Sequence, residues 1–373
     1  MNQKNLTSSQ KICVLFIGLK NDYGYPQRGY SFEYENFYKT LMNMEDVSVT
    51  IFPYDEIMRE HGRDRMNDLL IDAVHKIRPD ICFFFLFTDE IKKQTIQVLK
   101  NRVDTVVLNW FADDHWRFDE YSRYWAPFFN WVVSTDKESL EKYHKIGCNN
   151  VIMSQWGANH FIYKHFDVPL EYDVTFVGQV HSNRKRIIEK LKNCGIKVEC
   201  WGNGWPNGRL SQENMIKLFS KSKINLNFTD SSAVLNVKQL AKIFLSRRTD
   251  NTLKMRRPME MVAHTKTMLN SRRAQIKGRN FEIPVAGGFL LTEYVEGIED
   301  YYTPDKEIAV FHNFNELENK IIYYLNNNDE RESIRVAGKR RTLKDHTYEN
   351  RFEKIFTMMG LFKLKLEQSS DHS

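Results

Sequence analysis

The sequence is short of the material for three kinds of chemistry. Its five cysteines (Cys13, Cys82, Cys148, Cys194 and Cys200) are odd in number, scattered and without CxxC spacing. They read as reduced thiols, not as a disulfide framework or a zinc site. No apolar run approaches the roughly 20 residues that a bilayer-spanning helix needs. Residues 1–10 also lack the basic-then-apolar order of a secretion signal, so the expected location is the cytoplasm.

What is present is a chain of 373 residues, 42% apolar, with 25 Phe, 17 Tyr and 7 Trp. That length exceeds what one hydrophobic core usually serves, so two domains of ordinary size are expected. The net charge of +6 is local. Between Leu235 and Ala274 ten Lys and Arg stand against Asp250 and Glu260, so the segment carries +8 and the rest of the chain −2. This implies one basic element and no general affinity for polyanions. Its apolar residues (Leu240, Ile243, Phe244, Met255, Met259) suit a segment that docks on an anionic membrane surface. The alternative is a solvated helical pair packed on its domain. Nucleic-acid binding is not expected, because the aromatics are not interleaved with the cations as a stacking platform requires.

The stretch from Lys11 to Gly18 is one polar residue followed by an apolar run ending in Gly, the pattern of a strand buried on both faces of a parallel sheet. Strand-like runs recur at 47–52, 80–87, 103–108 and 131–135 and from Val151 on, with helical periods at 31–44, 66–77, 90–100 and 137–145. After a polar connection over 154–171 the rhythm restarts at Tyr172. It continues through strands near 198, 224–229, 289–291 and 307–311 and helices at 184–191, 212–220, 314–326 and 329–341. Repeated βα units argue for an α/β fold of parallel, doubly wound sheets with right-handed crossovers. The expected division is a first domain over 1–160 and a second over 161–345, with the basic insertion 235–274 inside it. A last helix and tail occupy 346–373 and can cross back to the first domain.

Four places hold residues that could do chemistry. Asp113, Asp114 and His115 follow the strand ending near Leu108, at the carboxyl end where such sheets place their sites. Either aspartate could take a proton from a hydroxyl or cap the helix that starts near Trp116. A metal site is the weaker reading, since the pair has no third ligand in reach. Gly178 ends a strand that feeds a helix carrying Arg184 and Lys185 in its first turn. Cations there oppose the helix dipole, which points to an anion such as a diphosphate. The loop Trp201-Gly-Asn-Gly-Trp205 brings Gly204 and Trp205 either to an aromatic base or into a plain turn. The stretch 275–293 runs from Lys277, Arg279, Asn280 and Glu282 through Gly287-Gly288 into Phe289-Leu290-Leu291, a short helix, a tight turn and a buried strand.

Val174-Thr-Phe-Val-Gly178, Trp201-Gly-Asn-Gly-Trp205, Lys277-Gly-Arg-Asn-Phe-Glu282, Val285-Ala-Gly-Gly-Phe-Leu-Leu291 and His346-Thr-Tyr-Glu-Asn-Arg351, in that order, resemble the GT-B glycosyltransferases of group 1, and among them the spore-maturation CgeB/YkvP-like transferases. The likeness covers the second half of the chain; the first half shares the strand-helix rhythm and Trp110-Phe-Ala-Asp-Asp114. The resemblance implies two Rossmann-like domains facing across a cleft, a nucleotide-sugar donor on the second, an unidentified acceptor entering from the first, and no obligatory metal. It makes Glu282 the partner of the donor ribose, sets Lys277 and Arg279 near the diphosphate, and leaves Asp114 as the acceptor-side base. Many such enzymes carry a second acid eight positions before the ribose carboxylate. Here that position is Ala274, so a catalytically inactive nucleotide-binding module is the competing expectation.

Overall fold

The computed structural model describes residues 11–229, 245–247, 253–255, 265, 270 and 273–362. The chain divides into two units. The first holds residues up to Asp114, Ser122–Gln155 and everything from Tyr348 on; the second holds His115–Tyr121 and Trp156–Thr347.

The first unit is built on β1 (Ile12–Gly18), β2 (Val47–Pro53), β3 (Ile81–Phe84), β4 (Val106–Phe111), β5 (Trp131–Ser134) and β6 (Val151–Met153). They form one parallel sheet in the order β2-β1-β3-β4-β5-β6. The apolar run of β1 is buried from Val14 to Ile17, and every residue of β3 is buried, as strands covered on both faces require. Helices cross between strands: a π-helical turn Tyr34–Tyr38 continuing into α1 (Lys39–Asn43), then α2 (Tyr54–Ile77), α3 (Lys93–Lys100) and α4 (Ser139–Lys145). The helical period expected over 66–77 is only the second half of α2. Gly62, at φ 78°, breaks the helix into two pieces, so the apolar spacing of the second piece does not continue back through the first.

The second unit repeats the plan with β7 (Tyr172–Val177), β8 (Glu199–Trp201), β9 (Ser222–Asn227), β12 (Leu290–Glu293) and β13 (Ala309–Phe311), all parallel, in the order β13-β12-β9-β7-β8. Between them run α5 (Ser182–Asn193), α6 (Gln212–Lys221), α7 (Arg279–Val285), α8 (Phe314–Asn326) and α9 (Asn328–Asp345). In chain order each sheet begins with an inner strand, sends the next to one side, and returns to build outward on the other. The reversal lies between β1 and β3 in the first unit and between β7 and β9 in the second. That switch point, at the carboxyl ends of the strands, is where a crevice opens in this class of sheet.

The last helix, α10 (Tyr348–Met358), belongs to the first unit. Its Phe352 ring packs on Phe37 and Phe83 at 5.3 and 5.6 Å, and Tyr348 on Phe37 at 4.9 Å. Of the basic segment, β10 (Leu245–Arg247) and β11 (Leu253–Met255) pair antiparallel. There the expected helical pair gives way to a two-stranded ribbon over the described residues. Leu240, Ile243, Phe244 and Met259 lie outside the described residues. Among the described residues no helix is long and apolar enough to cross a membrane.

Candidate donor and catalytic sites

The switch point of the second unit is spanned by one side chain. Arg184, in the first turn of α5, donates from one guanidinium nitrogen to the Gln179 carbonyl at 3.1 Å, just past β7. The other nitrogen donates to the Phe228 carbonyl at 3.3 Å, just past β9. The Phe176 ring lies under the guanidinium at 5.5 Å. A cation is thus fixed between the two strand ends, beside the amino terminus of a 12-residue helix whose first turn holds no acid. Backbone NH groups, helix dipole and guanidinium meet where an anion is stabilised. Lys185 does not join it: its ammonium lies 3.9 Å from Glu189 and is 64% exposed. Sequence spacing puts both cations in one turn, but adjacent helical residues point about 100° apart.

The stretch 275–293 folds as expected into helix, glycine turn and buried strand, and its parts fall at opposite edges of the sheet. The start of α7 is held by an amide network under β9 and β12. The Asn280 side-chain oxygen accepts from the Lys277 backbone at 2.9 Å and from the Asn227 amide at 3.3 Å, and its own amide donates to the Thr292 hydroxyl at 3.1 Å. Asn280 is 0% exposed. Its bonds position Lys277, and its side chain is closed to a ligand. Arg279 pairs with Glu282 and donates to the Met215 sulfur at 2.9 Å. Glu282 is buried, and Arg279 stays 29% exposed. Burial holds the Arg279 guanidinium below its ordinary value, partly offset by the Tyr163 hydroxyl beside it.

Gly287 needs correcting as a donor contact. It precedes β12 in a parallel sheet and so lies at the amino edge, away from the carboxyl ends that carry Arg184. It takes φ 75°, and a Cβ there would come 2.5 Å from the His165 imidazole. Its carbonyl accepts from Arg335 at 3.0 Å. This glycine makes room for side chains of its own unit.

The two readings of the Trp201–Trp205 loop also resolve. Gly202 has φ 129°, and a Cβ on it would overlap the Gly178 carbonyl; one on Gly204 would overlap Val180. Trp205 donates its indole NH to that same Gly178 oxygen at 2.9 Å and meets Phe176 edge-on. The glycines let two loops at the ends of β7 and β8 touch, and the tryptophan locks them, which braces the backbone that Arg184 bridges. Gly202→Ala meets both the overlap and the positive φ, so we expect a loss of about 3 kcal/mol or more, measured by urea unfolding.

In the first unit the paired aspartates part company. Asp114 is 0% exposed and accepts from the hydroxyls of Ser122 (2.5 Å), Ser134 (2.7 Å) and Tyr143 (2.7 Å). Burial pushes its carboxyl up to about 7 against those three bonds, and Asp136 adds to the rise. A carboxylate closed to solvent and saturated by hydroxyls ties β4 to β5 and α4; it cannot reach an acceptor. Asp113 is half-buried and sits at φ 61°, a left-handed conformation that few residues other than Gly, Asn and Asp accept. Its place at the carboxyl end of β4 keeps it as the reactive candidate. His115 is buried. Among the described residues no three His, Cys, Asp or Glu side chains group as metal ligands.

Residues 184–249 and 246–357, from Arg184 through α10, match a family model described as glycosyl transferase-like. The chain carries a glycosyltransferase-like domain. The chain is 19% identical over 278 residues to the spore protein CgeB of Bacillus subtilis (strain 168), covering 74% of this chain and 81% of CgeB. Its fold is shared with sucrose-phosphate synthase from Thermosynechococcus elongatus, at a TM-score of 0.57 and 9% identity over 94% of this chain and 98% of that one. Anabaena HepE, solved in complex with UDP and glucose, matches at a TM-score of 0.54 and 10% identity, over 94% of this chain and all of HepE.

Proposed function

We propose that this glycosyltransferase takes its sugar from a uridine diphosphate donor held by the second unit. The observation that carries the reading is Arg184, pinned across the β7/β9 switch point at the head of α5. The UDP assignment is supported by HepE, whose complex holds UDP and glucose on the same fold. The donor diphosphate rests on the α5 amino terminus and Arg184, and Lys277 and Arg279 meet the charge that develops on it as it leaves. Glu282, buried like Asn280 and paired with Arg279, acts by positioning that guanidinium for the diphosphate. In the transfer the bond from the anomeric carbon to the diphosphate oxygen breaks as the acceptor oxygen bonds to that carbon. The hydroxyl proton passes to Asp113.

Calorimetric titration with UDP, GDP and dTDP tests the donor site. UDP is expected to bind most tightly. Arg184→Ala should weaken it about 10- to 100-fold, a loss typical of a charge-assisted phosphate contact. Arg184→Lys should recover only part, since the ammonium lacks the planar five-donor fork that can hold both carbonyls and still face a phosphate. Lys185→Ala should leave affinity unchanged. Equal losses at 184 and 185 would remove the switch-point assignment. Binding of UDP without hydrolysis or transfer of its sugar would favour the non-catalytic module.

A further inference from the structure

The switch point of the first unit, between β1 and β3, carries a feature that the donor chemistry does not use. The chain leaves β1 and loops through residues 19–30 before turning back into the π-helical turn. Three tyrosines on this loop face water: Tyr23 and Tyr25 are each 55% exposed and Tyr30 is 53% exposed. From the far side of the switch point, in the loop after β3, Phe87 meets Tyr23 edge-on at 5.4 Å and is 38% exposed. Tyr30 heads a stack that continues onto Tyr34 at 4.7 Å.

Exposed rings on a slack loop would mean little, but this loop is braced at every turn. Asn21 and Tyr30 form an antiparallel bridge, and the Asp22 NH donates to the Gly29 carbonyl at 2.9 Å. The buried Asp55 carboxylate accepts from the backbones of Lys20 and Asn21 and from the Asn21 amide, at 2.8–3.1 Å. Arg59 reaches across from α2 to the Gly24 carbonyl at 2.7 Å. Tyr23 itself is held at φ 53°, a conformation that costs a bulky residue free energy and is retained where the surroundings impose it. Rings carried on a backbone that is already fixed leave little loop entropy to be lost when something stacks on them.

The charges around the platform cancel locally. Lys20 pairs with Glu56 at 3.1 Å, Arg28 with Asp22 at 2.8 Å, and Arg59 with Asp55 at 3.9 Å. A polyanion would find no surplus cation here, and an acyl chain would find hydroxyl-bearing rings interrupted by ion pairs instead of a continuous apolar face. A pyranose fits both halves: its C–H face lies on an aromatic ring, and its hydroxyl edge bonds to carboxylates and guanidinium groups.

We propose that the acceptor is a neutral saccharide, and that it stacks on the platform formed by Tyr23, Tyr25 and Tyr30 at the β1/β3 switch point. The inference rests on the reading of this chain as a sugar transferase, and its test is separate from the donor's. An array of immobilised neutral oligosaccharides, built from glucose, galactose, mannose, rhamnose and N-acetylglucosamine, is probed with the full chain while UDP binding is titrated in parallel. The wild type is expected to bind at least one saccharide class. The Tyr23→Ala/Tyr25→Ala double variant should lose at least about tenfold of that signal with UDP affinity unchanged, and Tyr23→Phe/Tyr25→Phe should retain it. A wild type that binds UDP but none of the saccharides, or an alanine variant that binds them undiminished, overturns the proposal. Failure to bind UDP with saccharide binding intact would count against the donor assignment alone.

Discussion

Asp113→Gly should raise stability by about 0.5–1 kcal/mol, the left-handed strain released less the extra freedom of an unfolded glycine, and it should lower transfer by about 10²- to 10⁴-fold. The two effects come from different properties of one residue. The backbone at φ 61° suits glycine better than aspartate, so relief of strain stabilises. In the proposed transfer the carboxylate receives the acceptor proton, so its removal should slow the chemistry whatever the backbone gains. Asp113→Asn separates the two, because asparagine also accepts the left-handed region. It should leave the melting temperature nearly unchanged and lose activity almost as completely. Urea unfolding and a coupled assay for released UDP read the two quantities. Full activity in Asp113→Asn would remove Asp113 from the mechanism, and a stability loss in Asp113→Gly would mean that the side chain is structural.

The second large effect is on stability against pH, and it comes from the other aspartate. Asp114 is raised from 3.8 to about 7, and Glu33, buried after β1, is raised from 4.5 to about 8 by burial, with Asp22 and Asp55 adding to the rise. Both folded values exceed the unfolded ones. Their contribution is therefore complete below about pH 4 and is lost as pH climbs through the folded values, since ionising either carboxyl favours the unfolded chain. At roughly 1.4 kcal/mol for each pKa unit, Asp114 accounts for about 4 kcal/mol between acid and mildly alkaline solution. His160 and His165 work in the opposite sense, because burial lowers both below their ordinary value and they oppose folding as acid charges them. The difference between wild type and Asp114→Asn cancels the histidines. That difference should widen in favour of the variant from pH 5 to pH 8 in urea-unfolding series, and a constant or shrinking gap would show that Asp114 is ionised at little cost.

The architecture could be read from the chain because β1 and β3 are continuous apolar runs and the amphipathic segments between them keep their period. The edge proposed to hold the donor could be placed for a similar reason: a strand ending at Gly178 feeds a first turn whose Arg184 spans the strand ends. What failed was direction. Gly287 belongs to the same short stretch as Arg279, yet the helix between them runs back from the carboxyl to the amino edge of the sheet, and adjacency along the chain hides that. Asp113 and Asp114 differ by one residue and by whether Ser122, Ser134 and Tyr143 converge on the carboxylate, contacts 8 to 29 residues away that no local pattern encodes. Tyr23, Tyr25 and Tyr30 look ordinary in a loop rich in Gly and Pro. Their distinction is the bracing by Asp55 and Arg59, supplied by a helix some 30 residues further on.

The return of α10 to the first unit sets an order on synthesis. Phe37 and Phe83 emerge from the ribosome well before the ring that covers them, Phe352, which follows Phe83 by about 270 positions. Until Phe352 is made the first unit exists as a sheet with part of its aromatic core open, while the second, His115–Tyr121 with Trp156–Thr347, is already complete and can close on itself. The later half of the chain is thus positioned to mature first. The earlier half holds that apolar surface open to chaperones until α10 is made, and a fragment cut at the end of β6 inherits that state permanently.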